Sequence, residues 1–195
     1  FKFINNYVRY YHFDGLDGIL ADLGVSSHQF DTPERGFSFR FDADIDMRMN
    51  TLAKKSASEI LNTYAEDELA RIFKIYGELD RSKKVASLIC SARRNRPIES
   101  TFELNEVVKS ILPPAGEHKV LAKIYQALRI EVNGEMGSLE RFLESAYRAL
   151  KPGGILSIIT YHSLEDRMVK NFFRCGNVEG KEDKDLFGRR STPFE

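Results

Sequence analysis

An apolar run, Gly18-Ile19-Leu20-Ala21, leads straight into an acid, Asp22, and then into a loop crowded with Gly, Ser, His, Gln, Asp, Pro and Arg. Asp22 can accept hydrogen bonds from an amine or a hydroxyl. Gly24 lets the backbone come close to a ligand. The acid and the serines can equally cap the turn themselves through side chain to backbone bonds. A second polar cluster, Tyr161-His162-Ser163, follows the apolar run Ile155-Leu156-Ser157-Ile158-Ile159. His162 is a candidate base, a hydrogen-bond donor to substrate, or a packed histidine. Ser163, three residues before Asp166, reads as a helix N-cap. No G-x-S-x-G elbow accompanies His162, which argues against a nucleophilic triad. Neither a G-x-G-x-x-G fingerprint nor a P-loop is present.

Basic residues gather in one stretch: Arg81, Lys83, Lys84, Arg93, Arg94 and Arg96. They could hold nucleic-acid phosphates, or simply form a solvated helix face. Arg35, Arg40 and Arg48 are interleaved with Phe37, Phe39 and Phe41. Arginine beside exposed rings can stack an unpaired base; the alternation of the phenylalanines fits a short strand packing one face inward slightly better. Cys90 and Cys175 lie far apart and the four histidines are scattered. That spacing argues against a zinc site, and no metal is expected. Two lone cysteines also suit a reduced, cytoplasmic setting.

These groups need a scaffold. The chain has 195 residues, 42% hydrophobic and 30% charged, with zero formal net charge. That is a globular composition, and any nucleic-acid contact must come from a local patch. No apolar run approaches the length of a membrane span, and no leader-like start is visible. Phe1 to Ile4 reads as a short strand. Residues 17 to 23 read as a strand buried on both faces, and about 24 to 50 as loop. Ser56-Ala57-Ser58-Glu59 and Thr63-Tyr64-Ala65-Glu66 have capping-box spacing. Leu69, Ile72, Phe73 and Tyr76 then share one helical face, which Gly77 ends. Further helices are expected over about 80 to 95, from Ser100 to Pro113-Pro114, over 118 to 132 and over 135 to 150. Lys151-Pro152-Gly153-Gly154 breaks the last of these and launches a second buried strand. A helix opens at Ser163, and 176 to 195 reads as loop. The expected architecture is α/β with a parallel sheet, its core formed by 1–50 and 118–195, interrupted by an inserted helical subdomain over 51–117. Ligands bind such sheets at the carboxyl ends of the strands, where Asp22 and His162 both lie.

Five stretches, in order, carry a resemblance: DGILADLGVSS (17–27), ERGFS (34–38), DMRM (46–49), QALRIEVN (126–133) and HSLEDR (162–167). Together they resemble the ribosomal RNA small-subunit methyltransferase H family, also called MraW. The resemblance implies a class I, Rossmann-like methyltransferase fold with an inserted helical domain. It implies S-adenosyl-L-methionine as cofactor and the N4 of a cytosine in small-subunit ribosomal RNA as methyl acceptor. It implies cofactor contacts from Asp22 and Gln29 and from an aromatic residue, for which Tyr7 is the candidate although the segment between Ile4 and Asp14 is shorter than the family's. The family's glycine-rich cofactor loop and ribose-binding acid belong upstream of residue 1, and its basic C-terminal region follows Glu195, so shortening at both ends is expected. On this reading Asp22 and His162 are the catalytic candidates, and Arg35, Arg93, Arg94 and Arg96 the candidates for substrate RNA. The rival expectation is a non-catalytic RNA-binding or ribosome-assembly fragment. Methylation of a small molecule or a protein on the same fold is a third.

Overall fold

The computed structural model describes residues 3–182 together with Thr192 and Phe194; the expected loop over 176 to 195 lies largely outside them, as do the first two residues of the strand expected at Phe1. The described residues form a mixed α/β protein whose sheet is a parallel pair, β1 (Leu16–Asp22) and β2 (Leu150–Ile159). The chain divides into two compact units, one of residues 1–24 with 135–195 and one of residues 25–134.

In the first unit, of the strand expected over Phe1 to Ile4 only Phe3 and Ile4 are described: Phe3 lies in a turn and Ile4 opens a helix, α1 (Ile4–Tyr10), in which Ile4 and Val8 are half-buried one turn apart. A short apolar run cannot distinguish strand from helix by itself, and here the spacing of four decides. The α1 helix packs on α8 (Glu135–Ala149). Regular pairing of β1 with β2 runs from Gly18 opposite Ile155 to Asp22 opposite Ile159. The Pro152-Gly153-Gly154 turn sits ahead of that stretch as an irregularity, with Gly153 at φ +80°. Leu139, Phe142, Leu143 and Ala146 of α8 and Val169 and Phe172 of α9 (Ser163–Cys175) form a core with Ala21 and Leu23; Ile19, Leu156 and Ile158 pack against it. Burying one such Leu or Phe contributes about 1.5–3 kcal/mol.

The strands are not buried on both faces as their composition suggests. Leu20, Ile155 and Ile159 point the other way, at 73%, 69% and 47% exposure. Apolar composition sets what a strand can bury; here described helices pack on one face of the pair.

The second unit is helical: α2 (Ser27–Asp31), α3 (Ala57–Thr63), α4 (Glu66–Ile75), α5 (Ser82–Ala92), α6 (Thr101–Val108) and α7 (Glu117–Asn133). Ser56 caps α3 and Ser100 caps α6, each accepting the amide three residues on, as their spacing predicts. The next box is shifted: Glu68 Oε2 accepts the Ala65 amide at 2.8 Å, and α4 starts at Glu66. Ile60, Leu61, Leu69, Ile72, Phe73, Ile89, Leu104, Ile124 and Leu128 are fully buried. Ile45 and Met47 join that core from the preceding loop. The helical unit is therefore wider than the block marked out at 51–117, because the loop before it and α7 after it pack into the same core.

Candidate active site

The carboxyl end of the sheet carries the candidate site. Asp22 ends β1 on the outward face, with Gly18 and Leu20, because side chains alternate along a strand. Tyr161 follows β2 on the same alternation as Ile155, Ser157 and Ile159, and its hydroxyl donates to Asp22 Oδ1 at 2.8 Å. That bond to an anionic acceptor raises the phenol's pKa. The Leu23 amide donates to the Ile159 carbonyl at 3.2 Å and keeps the two strand ends together. Gly24 then turns at φ +86°. A Cβ there would stand 3.1 Å from Tyr161 Cδ2, so the ring lies over bare backbone.

His162, beside Tyr161, is turned inward. Its side chain is 8% exposed, and Nε2 stands 3.4 Å from Oε1 of the buried Glu165. Its Nδ1 accepts the Glu165 amide at 3.4 Å, which makes His162, rather than the expected Ser163, the N-cap of α9. Glu165 Oε2 in turn accepts the Tyr161 amide at 3.0 Å. Possible ligand atoms of Glu135, His162 and Glu165 all lie within 4.8 Å of one another. A neutral ring accepting at Nδ1 carries its hydrogen on Nε2. Ligation through Nε2 would move that hydrogen to Nδ1 and cost the helix cap.

The remaining sequence candidates fall as follows. Tyr7 lies on α1 and is exposed. Gln29 completes a capping box at α2: its Oε1 accepts the Ser26 amide at 3.0 Å, and its own amide donates to Ser26 Oγ at 3.4 Å. The loop expected over 24 to 50 thus contains a short helix, and the Ser26 to Gln29 spacing was its signal. Arg35 donates to the Arg48 carbonyl at 2.6 Å and lies 5.8 Å from the Phe37 ring centroid. Phe37 is buried, and Phe39 stacks on His118 with centroids 5.8 Å apart, so these rings are packed without forming a strand. Arg93 donates to the carbonyls of Leu61 and Tyr64 at 2.7 and 2.6 Å, tying down the end of α3. Arg96 pairs with Glu103 at 2.7 Å. Arg94 is exposed, as are Arg81, Lys83 and Lys84.

Tyr161, absent from the sequence candidates as a site residue, is what the structure adds. Its bond to Asp22 spans 139 positions, and no local pattern encodes it. The motifs of the helical unit hold the fold. Asp46 and Arg48 pair through both carboxylate oxygens. Asn133 accepts from the Met49 amide at 2.7 Å and donates to the Met47 carbonyl at 2.8 Å. Gln126 donates to the Tyr76 carbonyl at 2.9 Å.

Ligands of open α/β sheets bind outside the carboxyl ends of the strands, and Asp22 and the Gly24 turn lie at such an end. The chain belongs to the MraW methylase family, whose model matches residues 1–184. It is 56% identical over 194 residues to the "Ribosomal RNA small subunit methyltransferase H" of Bacteroides fragilis, covering all of this chain and 64% of that protein. Proteins of the same name from Phocaeicola vulgatus and Flavobacterium johnsoniae are 54% and 52% identical over 195 residues, covering all of this chain and 64% and 65% of their own lengths. The chain thus spans about 64% of the length of the first of these curated relatives. Among the described residues no helix is long and apolar enough to cross a membrane.

Proposed function

We propose that this chain is part of an enzyme that methylates the exocyclic N4 of a cytosine in small-subunit ribosomal RNA. The donor is S-adenosyl-L-methionine, the scaffold a class I methyltransferase sheet with an inserted helical subdomain, and the setting the cytoplasm. Membership of a methylase family whose relatives bear a ribosomal RNA methyltransferase name carries the reading. The exposed carboxylate of Asp22 at the sheet's carboxyl end supports it, and so does the separation of a helical unit from the unit that holds both strands.

The donor set suits the cofactor. Asp22 is an exposed carboxylate of the kind that accepts from an ammonium group, and the bare backbone of Gly24 beside it is where the Tyr161 ring rests. Gln29, with its carbonyl oxygen used in the cap, retains amide hydrogens for a carboxylate. The exposed ring of Tyr7 suits stacking. When bound, the cofactor supplies a methyl group already activated on a sulfonium, so the chain's task is positioning. With a target amine held there, the Asp22 carboxylate would accept one N4 hydrogen as a proton and so free the lone pair that the base ring delocalises. A base inside a duplex cannot reach such a site, so the target is unpaired or flipped out. His162 acts indirectly: capping α9, it holds Glu165 and through it the Tyr161 backbone. Arg94 and Arg96, with contributions from Arg35 and Arg93, are proposed to face the RNA.

The test supplies methyl-labelled donor to the full-length protein with free RNA and with small-subunit particles, and maps the label by nuclease digestion. Label on the N4 of one cytosine is expected. Label on protein or small molecules only, or none with either RNA, overturns the reading.

A further inference from the structure

We propose that Tyr161 is a positioning residue for the Asp22 carboxylate, fixing which of its oxygens meets a ligand amine. This rests on the reading that Asp22 faces that amine. The side chain is held at both ends. Its backbone amide donates to the buried Glu165 carboxylate at 3.0 Å, and its hydroxyl donates to Asp22 Oδ1 at 2.8 Å. Between them the ring crosses Gly24, where a Cβ would come within 3.1 Å of Cδ2. The φ of +86° at Gly24 independently favours glycine there, so the ring's resting place is built into the backbone.

An exposed carboxylate at a strand end otherwise turns freely about its last bond. Donation to Oδ1 stops that rotation and leaves Oδ2 as the oxygen presented outward. A hydrogen bond to an ionised acceptor is also stronger and shorter than a neutral one. Tyr161 remains 65% exposed, so the restraint does not close the carboxylate off from a ligand. Phenylalanine at this position keeps the ring over Gly24 and removes only the hydroxyl, so Tyr161→Phe isolates the effect from folding.

Two measurements on the full-length protein decide it. The first is the phenolate absorbance titration of wild type minus Tyr161→Phe, repeated in an Asp22→Asn background. Tyr161 is expected to ionise at lower pH once the Asp22 charge is gone; an unchanged titration overturns the contact. The second is the methyl-transfer rate at saturating donor. Tyr161→Phe is expected to lower kcat about tenfold while weakening donor Kd by a smaller factor, because the carboxylate keeps its charge and loses only its orientation. A Tyr161→Phe kcat equal to wild type beside a slow Asp22→Asn overturns the positioning role alone. An Asp22→Asn protein with wild-type kcat overturns the reading of the site, and the positioning role falls with it.

Discussion

Arg48 grips the Asp46 carboxylate through both oxygens, Nε to Oδ1 at 2.8 Å and Nη2 to Oδ2 at 2.7 Å, two residues apart in the chain. Its Nη1 also donates to the Ala53 carbonyl at 2.7 Å. Between the pair, Met47 is fully buried at φ +58°, an uncommon backbone for a methionine. The ion pair thus straddles a residue that the core holds in a strained turn.

The side-chain hydrogen bonds from Arg48 hold the Asp46 pKa below its ordinary value. A carboxylate depressed on folding stabilises the folded state in full above its unfolded pKa, about 3.9, and loses that contribution as pH falls through the lower folded value. Asp46→Asn is expected to cost about 1–3 kcal/mol at neutral pH. Below about pH 4 the difference from wild type should shrink. Urea unfolding followed by circular dichroism at pH 7 and pH 3 checks both parts; an equal gap at both pH values would contradict the linkage.

Asn133 joins the end of α7 to the loop through Met47 and Met49. Asn133→Ala leaves a backbone donor and acceptor without that partner, and a loss of about 1–3 kcal/mol is expected. The measurement is the urea midpoint, with the slope unchanged if the unfolded state is unaffected.

Gly36 is a position where any side chain collides with backbone. It sits at φ +67°, and a Cβ there would clash with the Asp44 carbonyl oxygen and lie 2.8 Å from the Asp46 nitrogen. Gly36→Ala is expected to destabilise by at least about 2 kcal/mol. Gly134, also at positive φ but with nothing near its Cβ position, should tolerate alanine at about 1 kcal/mol. Thermal melts of the two variants side by side test the contrast.

Arg93 and Arg94 are neighbours in sequence with different duties. Arg93→Ala removes two donors to the end of α3 and should lower stability by about 2 kcal/mol. Arg94→Ala should leave stability within about 0.5 kcal/mol and reduce the salt slope of RNA binding by about one. Filter binding across a salt series, paired with urea unfolding, separates them; an Arg94 variant with an unaltered slope removes it from the RNA face.

What the sequence disclosed followed the range of its signals. Ser56 and Ser100 were legible as caps because a capping box is a four-residue pattern. Ser26 and Gln29 share that pattern, but a polar loop hid a helix of one turn and a half. His162 displaced Ser163 as cap because an imidazole can accept the same amide, which residue preference ranks low. Ile4 and Val8 belonged to too short an apolar run to settle its period. The carboxyl ends of β1 and β2 were identifiable as a candidate site from topology. The bond from Tyr161 to Asp22, and the bare side of the strand pair, were beyond any local pattern, since both depend on what the finished fold brings alongside.

That bare side has a colloidal consequence. Among the described residues, Leu20, Ile155 and Ile159 display aliphatic surface on one face of a two-stranded pair. Molecules of this chain in solution should adhere to one another there, more strongly in sulfate than in chloride. Replacing Ile155 by lysine should keep concentrated samples clear by light scattering while their melting profile stays the same.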